Sequence, residues 1–233
     1  MVSKQVYLFT AVEVSPLVNN TGIFDILTKK QHNMKTILLA LITVFALNLG
    51  DSEQIQIGDK APKSDLKMTS INGAATTLAD AKMENGLCVI FSCNTCPYVI
   101  AWEDRYNDLF KECSNAGVGL VVVNSNEAKR EGADSMDEMK KHAKEKGYLD
   151  FAYVVDENHA LADAFGATKT PDVFLFNGDM ELVYKGAIDD NMKNKSEVAE
   201  PYLNNAVSAM VAGKEINPNA TKAIGCSIKR VKS

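Results

Sequence analysis

The sequence predicts an α/β fold, a sheet packed between helices. Three observations carry this. Two continuous apolar runs, residues 87–91 and 118–123, have the length and composition of strands buried on both faces. Between them, residues 97–115 repeat their apolar positions at helical spacing. Asn72-Gly73 and Asn177-Gly178 each sit between short extended runs, the strongest local signal for a hairpin, because both residues tolerate positive φ.

Residues 54–57 alternate like a short strand, and Gly58-Asp59-Lys60-Ala61-Pro62 has turn chemistry. Residues 66–70 and 76–78 flank Asn72-Gly73 as the arms of the first hairpin. After the strand at 87–91, Val99, Trp102, Tyr106, Leu109, Phe110 and Cys113 form the apolar face of one helix over 97–115, closed by Gly117. The strand at 118–123 gives way to a polar loop at 124–134. A charged helix is expected over 135–146 with Gly147 as its stop, then a strand at 151–155 and a short helix at 159–165 before Gly166. Thr170-Pro171 precedes a strand at 173–176, which turns at Asn177-Gly178-Asp179 into a partner at 181–184. A last helix spans 196–212 and ends at Gly213; the remaining tail is polar and irregular. Strands alternating with helices in this order argue for α/β architecture.

The N-terminus reads differently. Met34-Lys35-Thr36, an almost wholly apolar run at 37–49, Gly50 and then Asp51-Ser52-Glu53 have the n-region, h-region and polar break of a secretory signal peptide. The run is shorter than the roughly 20 apolar residues a membrane-spanning helix needs. Ala46 and Gly50 are the small residues available for cleavage, and no Cys follows the run to support a lipid anchor. Residues 1–33 then form an upstream extension, 34–50 the signal peptide, 51–213 one folded domain and 214–233 a tail containing Cys226. The alternative is that 1–33 are genuine and 37–49 is a buried helix or an anchor. Export places the protein in a secreted, periplasmic or otherwise extracytoplasmic compartment, where disulfides persist.

With 24% charged and 46% apolar residues, the 233-residue chain has the composition of a globular domain, not of a collagen, a disordered chain or a multi-span membrane protein. A net charge of −5 gives no electrostatic reason to expect nucleic acid. Five cysteines are too sparse for a disulfide scaffold.

Two of those cysteines carry chemistry. Cys93-Asn94-Thr95-Cys96 lies just past a buried strand, where a helix begins. Free backbone N–H groups and the helix dipole favour thiolate there, so the Cys93 pKa should fall below the free value of about 8.5. Cys96, three residues on, lies within disulfide reach. Cys93 is then the exposed nucleophile, and Cys96 resolves the mixed disulfide. A zinc site would need a second ligand pair, and only Cys226, His142 and His159 are on offer, scattered singly; no metal is expected. Cys88 and Cys113 fall at core positions. Cys226 is either a third redox thiol or packs under the tail. Pro171, if cis, would present backbone groups beside the pair to a substrate peptide; an ordinary trans proline is the alternative. Arg105 reads as a helix-surface ion-pair residue, with a supporting role near the thiols as the other possibility, and His142 and His159 read as solvated.

On these residues the chain resembles the thioredoxin-like redoxin superfamily, the group of alkyl hydroperoxide reductase/thiol-specific antioxidant proteins and extracytoplasmic thiol:disulfide oxidoreductases. The matching pieces are Gly58-Asp59-Lys60-Ala61-Pro62, Phe91-Ser92-Cys93-Asn94-Thr95-Cys96-Pro97-Tyr98, Lys169-Thr170-Pro171-Asp172-Val173-Phe174-Leu175-Phe176 and Tyr184-Lys185-Gly186-Ala187-Ile188-Asp189-Asp190. The tail Gly225-Cys226-Ser227-Ile228-Lys229 is similar to the ending of an uncharacterised thioredoxin-family subgroup. The resemblance implies a thioredoxin fold: a central mixed β-sheet flanked by helices, an N-terminal β-hairpin and an insertion before the cis-Pro strand. It implies Cys93 as nucleophile, Cys96 as resolver, and Pro171 as the cis-proline with Thr170 before it.

There are departures. Thioredoxin has Trp before its first Cys and Gly-Pro between the two; here Ser92 and Asn94-Thr95 stand there. The peroxiredoxin pattern Pro-x-x-x-Thr/Ser-x-x-Cys falls on Val89 and Cys93 if Cys96 is its cysteine, and on Gly86 and Ile90 if Cys93 is. Neither register keeps the hydroxyl. Copper-chaperone relatives space their cysteines one residue wider. The expected function is an exported thiol:disulfide oxidoreductase acting on protein thiols through an unidentified redox partner, with no cofactor and only transient membrane contact through the signal peptide. The alternatives are a peroxiredoxin-like thiol peroxidase and a cysteine-based metal-binding or delivery module.

Overall fold

The apolar run after Asn85 becomes β3 (Gly86–Ser92), buried at every position. Its side chains alternate between two cores, as strand geometry requires. Cys88 and Ile90 join Trp102, Tyr106, Leu109, Val122 and Val207 on one face. Leu87, Val89 and Phe91 join Leu161, Phe165, Phe174 and Phe176 on the other. The computed structural model describes residues 54–148 and 151–231. The expected extension at 1–33, the signal peptide at 34–50 and the domain start at 51 lie outside them.

Around β3 a seven-stranded sheet runs in the order β2-β1-β5-β4-β3-β7-β8. The hairpin pairs β1 (Met68–Ser70) with β2 (Ala75–Thr76), and Gly73 supplies the positive φ of the turn. β4 (Val118–Asn124) and β5 (Ala152–Val155) run parallel to β3, while β7 (Asp172–Asn177) runs antiparallel to it and to β8 (Leu182–Gly186). The sheet is therefore mixed. The crossovers are helical: α2 (Pro97–Trp102) and α3 (Tyr106–Asn115) before β4, and α4 (Met136–Lys146) before β5. α5 (Ala160–Phe165) follows β5, α6 (Tyr202–Val211) follows β8, and the short α1 (Leu78–Ala81) leads into β3. α4, β5 and α5 occupy the place of the expected insertion.

Four differences from the sequence reading have physical causes. Residues 54–57 form no strand; Ile55 and Gly58 instead donate single hydrogen bonds to Phe165 and Leu182. Thr76 ends β2 because Thr77 caps α1, exchanging hydrogen bonds with Asp80. The helix expected over 97–115 tightens to a 3-10 turn at Glu103–Arg105, where Trp102 and Arg105 meet Asp189 and Glu103 meets His142 and Lys146. The last helix starts at Tyr202, not 196, because Pro201 disfavours helical backbone at the residue before it.

The tail is not irregular. β9 (Cys226–Ser227) pairs antiparallel with β6 (Lys169–Thr170), and Ile228 is buried among the Phe165 cluster. The boundary drawn at 213 thus separates a tail that packs as part of the domain. Among the described residues no helix is long and apolar enough to cross a membrane.

Candidate active site

β3 delivers Ser92 to the sheet edge, where its hydroxyl meets Tyr106 Oη at 3.0 Å. The chain then leaves the sheet through Cys93-Asn94-Thr95 and enters α2. Cys96 is the N-cap of α2, and Pro97 takes the first helical position, where the missing N–H is no loss.

The intervening loop is held by a polar network that the sequence did not reveal. Asn94 N–H donates to Asp134 Oδ1 at 2.8 Å, and Asn94 Nδ2 to the Ala133 carbonyl at 2.8 Å. Asp134 also accepts from Asn124 Nδ2 at 2.9 Å and Asn126 Nδ2 at 3.0 Å. Tyr153, whose burial pushes its pKa well up, stays protonated and donates to Asn94 Oδ1 at 2.8 Å. A lone Asp in a polar loop carries no periodicity or motif. The loop's one visible oddity is the amide of Asn94 inside the Cys-x-x-Cys segment.

The two thiols meet the segment before β7. The Thr170–Pro171 peptide is cis. Cys93 Sγ lies 3.6 Å from Thr170 Oγ1, and Cys96 Sγ lies 3.3 Å from the Thr170 carbonyl oxygen. Cys93, Cys96, Thr170 and Pro171 are thus brought together. Both sulfurs are covered, Cys93 being 2% and Cys96 4% exposed. Cys93 was expected to be exposed; it is not, because Cys226 and Tyr98 pack over the pair.

The electrostatics also differ from expectation. Cys96 is pushed down to about 4, chiefly by the hydrogen bond from the Cys93 thiol, with the N–H groups of Val99 and Cys226 also facing its sulfur and outweighing burial. Cys93 is pushed up, by its hydrogen bond to Cys96 first and burial second, with the Asp134 carboxylate adding repulsion. The physical reason is the position of the helix start. The N-cap falls on Cys96, so the unpaired N–H of the first turn serves Cys96, and Cys93 is left with the Thr170 hydroxyl and the N–H of Cys96, which burial outweighs. The reduced pair holds one proton on Cys93 and charge on Cys96.

Arg105 does pair with the exposed Asp104, at 2.5 Å, and it is no partner of the thiols. It is buried, with Nε on Asp189 at 3.2 Å, Nη2 on the Asn191 carbonyl at 2.7 Å and Nη1 on the Ala101 carbonyl at 2.9 Å. Trp102 Nε1 donates to the same Asp189 at 2.7 Å. This clamp ties the end of α2 to the segment after β8. The histidines are not free in solvent. His142 pairs with buried Glu103 at 2.9 Å, and His159 with Asp163 at 2.7 Å. Among the described residues no group of three or more His, Cys, Asp and Glu side chains is arranged to hold a metal ion.

No curated protein matches the sequence. Among solved structures the chain is similar to an uncharacterised conserved protein from Geobacillus kaustophilus, with 33% identity and a TM-score of 0.71, covering 78% of this chain and 95% of that one. It is similar to a hypothetical protein from Sinorhizobium meliloti 1021, with 30% identity and a TM-score of 0.70, covering 78% and 98%. The fold is shared with the peroxidoxin BcpB from Mycobacterium tuberculosis, at 15% identity and a TM-score of 0.52, covering 68% and 98%. The AhpC/TSA family matches residues 57–185, the span from the turn before the first hairpin to the penultimate residue of β8. The match covers more than half of the chain, and the chain belongs to the AhpC/TSA family of thioredoxin-like redoxins.

Proposed function

We propose that the protein is an exported thiol:disulfide oxidoreductase, cycling Cys93 and Cys96 between dithiol and disulfide against protein substrates. The observation that carries this is a buried pair of thiols packed together at a strand-to-helix junction against Thr170 and Pro171, and the electrostatics favour charge on Cys96. Such a pair loses two electrons and closes a disulfide with the chain already in place. In the reverse sense, Cys93 is the sulfur that takes up the proton, because its pKa is the one pushed up. Export rests on the order of charged, apolar and polar residues across 34–53.

Family membership favours a second reading, a thiol peroxidase. Against it, the position that should hold a hydroxyl three residues before Cys96 holds Cys93. The guanidinium of Arg105 is committed to Asp189 and the Asn191 carbonyl. Stopped-flow reaction of the reduced protein with hydrogen peroxide, run beside reduction of insulin disulfides, separates the two. Insulin reduction with slow peroxide consumption is the expected result; fast peroxide consumption with inert insulin reverses the ranking.

A further inference from the structure

Cys226 lies 130 positions from Cys96 along the chain, yet it packs against the dithiol with Tyr98 and Val99. Its strand pairs with the segment before Pro171 in a fixed register, Thr170 opposite Cys226 and Lys169 opposite Ser227. The approach is close enough to require glycine at 225. A Cβ there would lie 2.1 Å from the Thr170 carbonyl oxygen and 3.2 Å from the Pro171 nitrogen.

The tail is locked on both sides of this contact. Downstream, Ile228 N–H donates to Thr168 at 3.0 Å, Lys229 N–H to Asn126 Oδ1 at 2.8 Å, and Arg230 Nε to Asp163 at 2.7 Å. Upstream, Thr221 N–H donates to Lys185 at 2.9 Å, and Thr221 Oγ1 accepts from Ala187 N–H at 2.9 Å. The backbone edge at Thr170, on which another chain would lie to reach the dithiol, is therefore already occupied. The occupant brings a cysteine to the buried sulfurs. Of the three thiols, Cys93 and Cys96 are buried and Cys226 is partly exposed.

We propose that Cys226 is a third redox thiol, the outward-facing member of a relay through which the buried Cys93–Cys96 couple exchanges with dithiols of other proteins. This rests on the proposed dithiol function and adds where a partner enters. In the oxidised protein the Cys226 thiolate attacks Cys96 Sγ. The Cys96–Cys226 bond forms, the Cys93–Cys96 bond breaks, and its electron pair leaves on Cys93, which takes up the proton Cys226 gave up. No net oxidation occurs.

A thiolate of an external protein dithiol then attacks the partly exposed Cys226, at Sγ, and the electron pair of the Cys96–Cys226 bond leaves on Cys96. The second external thiol attacks the external sulfur of that mixed disulfide and releases Cys226. The external dithiol has become a disulfide, and its two electrons now reside on reduced Cys93 and Cys96. Run backwards, the same steps reduce an external disulfide.

The test uses the full chain with thioredoxin as the external protein dithiol. Cys93→Ser, oxidised with glutathione disulfide and mapped by peptide mass spectrometry, should contain a Cys96–Cys226 bond. Cys226→Ser should still form the Cys93–Cys96 disulfide, but its reduction by reduced thioredoxin should slow by at least about tenfold, because the remaining sulfurs are covered. Cys226→Ala repeats the measurement without a hydroxyl. An unchanged rate in both variants, or no Cys96–Cys226 bond in Cys93→Ser, overturns the relay. Failure of the wild type to form any Cys93–Cys96 disulfide overturns the dithiol function and the relay with it.

Discussion

Two pairs of cysteines lie buried in this protein, and only one has the features of a redox centre. Cys88, in the middle of β3, meets Cys113 on the inner face of α3, in a setting of Trp102, Tyr106, Leu109 and Val118. Cys93 and Cys96 meet at the junction of β3 and α2. Both pairs are covered by protein, and in both one thiol hydrogen-bonds the other. Cys88 is pushed well up, first by its hydrogen bond with Cys113 and then by burial. Cys96 is pushed down to about 4. The Cys93 thiol supplies most of the Cys96 effect, and the backbone adds to it. Cys88 is in mid-strand, where every N–H is committed to the sheet, whereas Cys96 stands where a helix starts and N–H groups have no partner within it. Burial keeps a thiol protonated; a neighbouring thiol that donates to the sulfur, helped by N–H groups beside it, holds a charge.

The largest expected effect follows from that contrast. Cys96→Ser should lower insulin-disulfide reduction by at least about a thousandfold, as loss of a nucleophile that acts as part of a unit does. Cys88→Ala should leave it within about twofold, since its thiol is a core group. Equal losses in the two variants would end the comparison. In the reduced protein, thiolate absorbance at 240 nm should persist down to about pH 4 and vanish below it. The sign of the linked stability follows. The folded pKa lies below the unfolded value of about 8.5. The contribution is therefore fully present above pH 8.5 and is lost as pH falls towards 4. Cys96→Ser should flatten that slope in urea denaturation.

Asp134→Ala comes next. It strips the acceptor from the N–H of Asn94 and the amides of Asn124 and Asn126, and should lower stability by about 3 kcal/mol, read as a shift of the urea midpoint. A shift no larger than that of a surface Asp→Ala variant would mean that the loop carrying the sulfurs is held by packing alone.

Asp172, opposite Phe91 on β7, tests the same rule on a carboxylate. Burial pushes it up to about 7, against the opposing effects of Lys185 and two backbone N–H groups. Its folded pKa lies above its unfolded value of about 3.9, so its stabilisation is full below pH 4 and is lost as pH rises through 7. Asp172→Asn should match the wild type near pH 4 and exceed it by roughly 1–2 kcal/mol at pH 8. A parallel pH dependence in the two proteins would place the titration elsewhere. The smallest effect is on the inert pair itself. Cys88→Ala should cost about 1 kcal/mol through the space it leaves, read by thermal denaturation.

Much of the fold was legible because it is written locally. The alternation of apolar runs and helical periods located β3, β4 and α3, and Asn72-Gly73 and Asn177-Gly178 marked their hairpins. Ser135 and Gly147 bound α4 as a cap and a left-handed stop. The misreadings came where a distant partner overrode local pattern. The break between α2 and α3 sits on Asp189, more than eighty residues away. The helix begins at Pro97, where it was expected; the thiolate assignment failed because the free N–H groups of its first turn serve the capping residue Cys96 and not Cys93.

By itself the sequence determined the alternation of strands and helices, the Cys-x-x-Cys pair at a strand-to-helix junction and the proline that would stand beside it. Each of these depends on residues within a turn or a strand of one another. Tertiary structure alone decided which loop carboxylate holds Asn94, that Arg105 serves Asp189, and that Cys226 arrives at Thr170. These are contacts between segments far apart in the chain, brought together by burying two faces of one sheet, and no spacing along the sequence encodes them.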